Sequence, residues 1–404
     1  MSKRIFLDYA STTPLDKKVA KAMAPFALRD FGNPSAIYKE GLVAKAAVQN
    51  ARQKIAGLLN IRQEEMVFTG SGTEADNLAI LGVFEAFKKQ FKPHIITTNI
   101  EHPAVLEACK HIEQEGGEVS YIEVEENGIV DPQKIKAALK PNTVLVSVML
   151  ANNEIGTIQP LREISRVIRP EGFKNFPYLH TDASQAANYL DLSFQKLGVD
   201  MMTLDASKIY GPKGAGLLAI RRNVSIKPII FGGGQEKGLR SGTENVPAIV
   251  GTALALEKAQ TMREGESARL TSLRDYFFET LMKIIPNVTL NGDRTKRLPN
   301  NVNICVPGLD AEFAVIKLDQ AGISCSSASS CLNLSENSYS YVVDSLGKMG
   351  KLCRESSLRF SFGRGTTKRE LNLTLSKIQS IIAKNNATTN PIYNQSQGGD
   401  SPSA

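Results

Sequence analysis

Between about residues 64 and 222 the chain alternates two apolar patterns. Short continuous apolar runs occupy 66–69, 95–98, 119–124, 144–150, 178–182 and 201–204, the pattern of strands covered on both faces. Between them, 131–139 and 161–168 carry apolar residues at helical spacing, and 75–87 is an amphipathic run that follows a glycine-rich turn. Strands alternating with helices predict an α/β fold, an open and mostly parallel sheet with helices on both faces. A long helix is predicted over 246–283, with Gly265 as a candidate interruption. After Lys384 the chain becomes polar and rich in Asn, Pro, Gly and Ser, and is read as a disordered tail over 385–404.

Composition sets bounds on this picture. With 404 residues, 42% hydrophobic and 22% charged, the chain can bury a large core and is long enough for two domains. The net charge of +7 is spread among acidic residues without a long Lys/Arg block, so direct nucleic-acid binding is not expected. An acidic protein partner or an anionic cofactor accounts for the excess equally well. The first residues lead into a short apolar strand without a signal-like segment, and no apolar run is long enough to cross a bilayer. A cytoplasmic location with no membrane partner is the expectation. Five scattered cysteines, Cys109, Cys305, Cys325, Cys331 and Cys353, resemble neither a disulfide framework nor a Cys-x-x-Cys zinc site, so free thiols and no metal are expected.

Candidate chemistry centres on Asp182-Ala183-Ser184-Gln185 and on Ala206-Ser207-Lys208-Ile209-Tyr210-Gly211-Pro212-Lys213-Gly214. A carboxylate at a strand end can pair with a protonated ring nitrogen, and a lysine near a glycine-rich turn can form an imine with an aldehyde. Together they describe a site for pyridoxal 5'-phosphate. Taken singly, the lysine reads as a solvated surface residue and the aspartate as a turn or helix cap. Five further segments change that balance. These are Phe31-Gly32-Asn33-Pro34-Ser35, the run from Thr69 through Asn77, Glu101-His102, Asn152-Asn153-Glu154-Ile155-Gly156 and Arg240-Ser241-Gly242-Thr243.

In chain order these segments resemble the cysteine desulfurases of the class V aminotransferase superfamily, from about Phe6 to about Ile382. The resemblance implies pyridoxal-phosphate fold type I, with an N-terminal segment 1–15 joining the small domain, a large cofactor-binding domain 16–262 and a small C-terminal domain 263–384. It implies that Lys208 carries the imine, that Asp182 pairs with the ring nitrogen, and that Gln185 and Asn153 bond the ring hydroxyl oxygen. His102 would stack on the ring and shuttle protons. Gly72 and Thr73 would hold the phosphate at a helix N-terminus, although Ser/Thr-x-x-Glu there also reads as a capping box. Thr243 would reach the phosphate from a second subunit, so a homodimer with shared sites is implied. Arg359 would bind the substrate carboxylate, with Asn33 and Asn153 as further substrate contacts. The alternatives are a salt bridge for Arg359 and a tight turn for Asn33.

An acceptor thiol separates sulfur transfer from transamination. Cys331, in the loop Ser329-Ser330-Cys331-Leu332-Asn333, resembles the family's catalytic cysteine, while Cys325 reads as a strand-end packing residue. The chain departs from the family at Asp205 and Ser207, where a hydroxyl residue and a histidine usually contact the phosphate. An aspartate there would repel the phosphate unless turned away or paired. Tyr38 and Ser330 are smaller departures. The implied reaction converts L-cysteine to L-alanine with a persulfide on Cys331. Its sulfur would pass to an acceptor such as an iron–sulfur scaffold or a tRNA-thiolation protein. A selenocysteine lyase, another class V enzyme and a noncatalytic sulfur-carrier scaffold are the alternative readings.

Overall fold

The computed structural model describes residues 4–169, 177–327 and 339–388, with side chains to 382. Its centre is a seven-stranded sheet in the order Met66–Thr69, Gly216–Ile220, Met201–Asp205, Tyr178–Asp182, Thr143–Ser147, His94–Thr98, Glu118–Ile122. Five strands run parallel, as the alternation predicts. Gly216–Ile220 is antiparallel to both of its neighbours and turns the edge strand Met66–Thr69. Residues on both faces of the central strands are buried, including Leu145, Leu179, Met202 and Leu217, so each strand reads as a continuous apolar run rather than an alternating one.

Local chemistry starts the helices where the sequence points. Ser71 caps the helix Gly72–Phe87 by accepting from Glu74 N–H, which is the first half of the capping box. The Glu74 carboxylate accepts from Gly70 N–H at 2.8 Å. Asn245 caps the helix Val246–Ile284, which runs unbroken for 39 residues through Gly265. The expected interruption is absent because Gly265 sits in open space. There a glycine costs only about 1 kcal/mol of helix propensity, against a helix that buries Ile249, Leu256, Leu270 and Phe277. The helix also spans the boundary placed at 262/263.

A second, antiparallel sheet orders Ser326–Ser327, Ser357–Ser361, Asn301–Cys305 and Thr289–Leu290. Near the N-terminus, Ile5–Phe6 pairs in parallel with Ile323–Ser324. The last helix, Lys368–Thr388, continues past residue 384, and residues 389–404 lie outside the described residues. Cys305 and Cys353 form a disulfide with their Cα atoms 5.4 Å apart, which corrects the expectation of five free thiols. The fold brings together the end of a strand and the end of a short helix that sequence spacing could not pair. Among the described residues no helix is long and apolar enough to cross a membrane.

Candidate active site

The carboxyl ends of the parallel strands, where ligands bind in open α/β sheets, surround a cavity of about 240 Å³. Asp182 and Asp205 terminate neighbouring strands, and His102 and Asn153 follow two others. Lys208, Gln185, Thr73, Gly72 and Arg359 line the same cavity, together with Asp76, Ser184, Ala10 and Ser11. Six separated sequence motifs thus converge on one space.

Lys208 lies in the one-turn 3-10 helix Ala206–Lys208, whose Ser207 amide is capped by Asp205. Its ammonium donates to Ser11 O at 2.5 Å and to Ala10 O at 3.2 Å. Gln185 donates to the same Ala10 carbonyl at 2.9 Å. The chain just N-terminal to the first helix therefore aims the lysine. Thr13 reinforces this by donating from its amide to Ser207 O and by accepting from Tyr210 N–H at 2.7 Å. The latter bond holds Tyr210 at φ +62°, a conformation that a bulky residue keeps only under such constraint.

Asp182 Oδ1 accepts from Ser184 N–H at 2.9 Å, which fixes the carboxylate at the strand end. His102 caps the helix Pro103–Gln114, with Nδ1 accepting from Ala104 N–H at 3.1 Å. That bond leaves the proton of the neutral ring on Nε2. Burial lowers the affinity of His102 for a second proton, with Lys208 acting in the same direction and Asp182 opposing.

Buried acids surround the site. Asp76 is pushed well above the usual carboxylate range by burial, with Asp182, Glu101 and Asp205 adding to the effect, and its Oδ1 has no hydrogen-bond partner. Glu101 is raised to about 8 by burial, while accepting from Thr98 Oγ1 and Met149 N–H. Glu154 is raised to about 7 for the same reason and accepts from Ser340 Oγ at 2.6 Å.

Arg359 is 4% exposed. It donates to Asp8 Oδ1 at 2.8 Å and to Asn153 O at 3.0 Å, while Nε has no partner. Asn153 Oδ1 is likewise buried without one. Buried polar atoms are almost always satisfied, so these orphans on Arg359 and Asn153, with that of Asp76 beside the same cavity, mark where a ligand's polar groups belong.

Among the other expected residues, Asn33, Thr243 and Ser207 do not line this cavity. Asn33 is exposed and accepts from Ser35 N–H in a tight turn. Thr243 lines a separate cavity with Arg240, Glu236 and Gly70. Ser207 braces Thr13 through its carbonyl, with Thr13 Oγ1 donating at 2.7 Å. Asp205 does not turn away from the glycine-rich helix start, because its Oδ2 accepts from Gly72 N–H at 3.0 Å. Cys331 lies outside the described residues. Cys325 is buried, and burial pushes its thiol up to about 12, so it does not supply a thiolate near neutrality. Sequence reasoning missed Asp76, Ala10 and Ser11. Asp76 stands inside a quoted motif, but only its burial beneath the cavity gives it a place in the site.

The pattern of the aminotransferase class-V family matches residues 5–373. The chain is 43% identical over 384 residues to cysteine desulfurase IscS of Dictyoglomus turgidum, covering 95% of this chain and 96% of that one. Among solved structures it resembles a NifS-like protein with TM-score 0.87 and 34% identity, covering 94% of this chain and 100% of the other. It also resembles SspA in complex with cysteine, with TM-score 0.77 and 33% identity over 89% and 98% of the two chains. The convergence of these motifs on one cavity and the near full-length matches agree, and the chain belongs to the class-V aminotransferases and, within them, to the cysteine desulfurases.

Proposed function

We propose that the cavity at the strand ends holds pyridoxal 5'-phosphate on Lys208 and converts L-cysteine to L-alanine, passing the sulfur to Cys331. The observation that carries this reading is the shared cavity of Lys208, Asp182, Gln185, His102, Asn153 and Arg359, with buried orphan atoms on Asn153 and Arg359. The donor set fits the cofactor: an amine for the aldehyde, a carboxylate for the ring nitrogen, and the Gln185 and Asn153 amides for the ring oxygen. When bound, the cofactor supplies an electron sink for charge developing at the substrate α-carbon.

The chain's own residues do the rest. The Arg359 guanidinium and the Asn153 amide orient the substrate carboxylate. Lys208 is placed to take the substrate α-proton and to return a proton to the same carbon. The two carbonyls that accept from its ammonium, Ala10 O and Ser11 O, hold the nitrogen near the cavity. His102, with Nδ1 committed to Ala104 N–H, passes protons through Nε2 alone. Cys331 thiolate attacks the substrate sulfur, so a new S–S bond forms as the Cβ–S bond breaks. The electron pair stays on the carbon side, and protonation at Cβ together with return of a proton from Lys208 to the α-carbon completes alanine. The persulfide on Cys331 then goes to an acceptor protein in iron–sulfur cluster or thionucleoside synthesis. A second subunit brings Thr243 to the phosphate in a homodimer.

The test combines purified protein, pyridoxal phosphate, cysteine and a reductant, with alanine and sulfide quantified together. Equal amounts of both are expected. Lys208→Ala should lose both products, and Cys331→Ser should keep cofactor binding but form no persulfide, whereas Cys325→Ser stays active. Full turnover in Lys208→Ala, or dependence on Cys325 instead of Cys331, overturns the assignment.

A further inference from the structure

Asp205 occupies the place where an anionic ligand would be held. The helix Gly72–Phe87 points its N-terminus at the cavity, and the free amides and dipole of a helix start favour an anion there. The Gly72 amide is already taken, because Asp205 Oδ2 accepts from it at 3.0 Å. The other oxygen, Oδ1, accepts from Ser207 N–H at 2.7 Å. One carboxylate therefore bridges the helix start and the turn that carries Lys208. The fit is close: a Cβ built on Gly72 would stand 3.1 Å from Asp205 Cβ and 3.2 Å from Oδ2. No phosphate oxygen can enter between Gly72 and Asp205 while the side chain keeps this position, and an ionised carboxylate beside a dianion adds repulsion.

We propose that Asp205 is a built-in anion of this cradle. It occupies the Gly72 amide that a phosphate would use, so the site gains little from the ligand's phosphate unless the carboxylate turns out. This inference rests on the pyridoxal reading of the cavity and adds a specificity to it: the chain discriminates weakly between phosphorylated and unphosphorylated pyridoxal. The Asp205 carboxylate supports the lysine turn in the absence of the ligand, and phosphate binding must replace that support.

The experiment measures dissociation constants of the full-length protein for pyridoxal 5'-phosphate and for pyridoxal, followed by the absorbance of the Lys208-dependent imine and by equilibrium dialysis. Inorganic phosphate serves as a competitor. Wild type, Asp205→Ser and Asp205→Asn are compared, since asparagine can still cap Ser207 N–H and guards against loss of the turn. Removing the competing charge frees a donor worth a charged hydrogen bond, so the preference for the phosphorylated ligand should rise about tenfold or more in both variants. Pyridoxal affinity should stay within about threefold of wild type, a shift below the worth of one hydrogen bond. An unchanged or reduced preference in both variants, with the imine still formed, overturns the role of Asp205 and leaves the cofactor reading intact. If neither ligand gives a Lys208-dependent imine in any variant, the cofactor reading fails and this proposal fails with it.

Discussion

Arg359→Lys separates substrate recognition from simple charge pairing. In the folded chain the guanidinium is 4% exposed and already spends one Nη on Asp8 at 2.8 Å and the other on Asn153 O at 3.0 Å. Its Nε remains unpaired beside the cavity. Lysine keeps the charge but offers a single nitrogen, which cannot hold Asp8 and also meet a carboxylate with a fork of donors. Losing one charged hydrogen bond to the substrate costs about 1.5–3 kcal/mol. At about 1.4 kcal/mol per factor of ten, KM for cysteine should rise roughly 10- to 150-fold. Because the contact is made in ground and transition states alike, kcat should change much less. Steady-state alanine formation against cysteine concentration gives both constants, and a melting curve reports on the fold. A variant with lowered melting temperature and unchanged KM would refute the reasoning and reduce Arg359 to a partner for Asp8. In the control Asp8→Asn the amide oxygen still accepts from Arg359, so KM should stay level or fall while stability drops.

The remaining predictions concern stability. Glu101, raised to about 8 by burial, has a folded pKa above its unfolded value of about 4.3. It therefore contributes stability that is fully present below about pH 4.3 and is lost as pH rises through about 8, with a slope of up to about 1.4 kcal/mol per pH unit. Urea unfolding between pH 5 and 8 should show this slope flattened in Glu101→Gln, and an identical slope in the variant would disprove it. Without reductant, the denatured protein should show three reactive thiols of the five, because Cys305 and Cys353 are joined. Reducing that link, which closes a loop of 48 residues, should cost about 4 kcal/mol by chain entropy. Five thiols would refute the bond.

The strands were legible because burial on both faces leaves an apolar signature that survives without knowledge of partners. The runs 66–69 and 178–182 match their strands end to end, and the others shift by a few residues. Gly216–Ile220 escaped, although it is as apolar as its neighbours. Its place between Met66–Thr69 and Met201–Asp205 is a matter of long-range pairing, which local pattern does not encode. The site divides in the same way. Lys208, Asp182 and His102 announce themselves by motif. The carbonyls of Ala10 and Ser11 that receive the lysine lie nearly 200 positions away and carry no side-chain signal. The Asp8–Arg359 pair and the Cys305–Cys353 bond are likewise products of chain topology. Asp205 was visible as a departure from the family, but its seat on the Gly72 amide appears only in three dimensions.

Burial of the sheet also sets the charge that the substrate meets. Asp76 and Glu101 sit fully buried around the cavity, and their surroundings raise both above the usual carboxylate range. Glu101, raised to about 8, stays largely protonated at neutral pH, and burial shifts Asp76 in the same direction. Two unit charges at about 4 Å interact with about 4 kcal/mol at an effective dielectric of 20, so each additional ionised carboxylate near the cavity would oppose an anionic substrate by an amount comparable to what Arg359 can offer. Neutral His102 fits the same arrangement, since burial withholds its second proton and leaves Nε2–H as a donor. The packing that makes the strands stable therefore leaves Arg359 as a positive centre facing the substrate carboxylate, with Asp205 as the acidic side chain placed where a phosphate would go. Within this cavity, replacing Asp205 changes anion binding, whereas replacing Glu101 changes mainly the pH at which the fold holds.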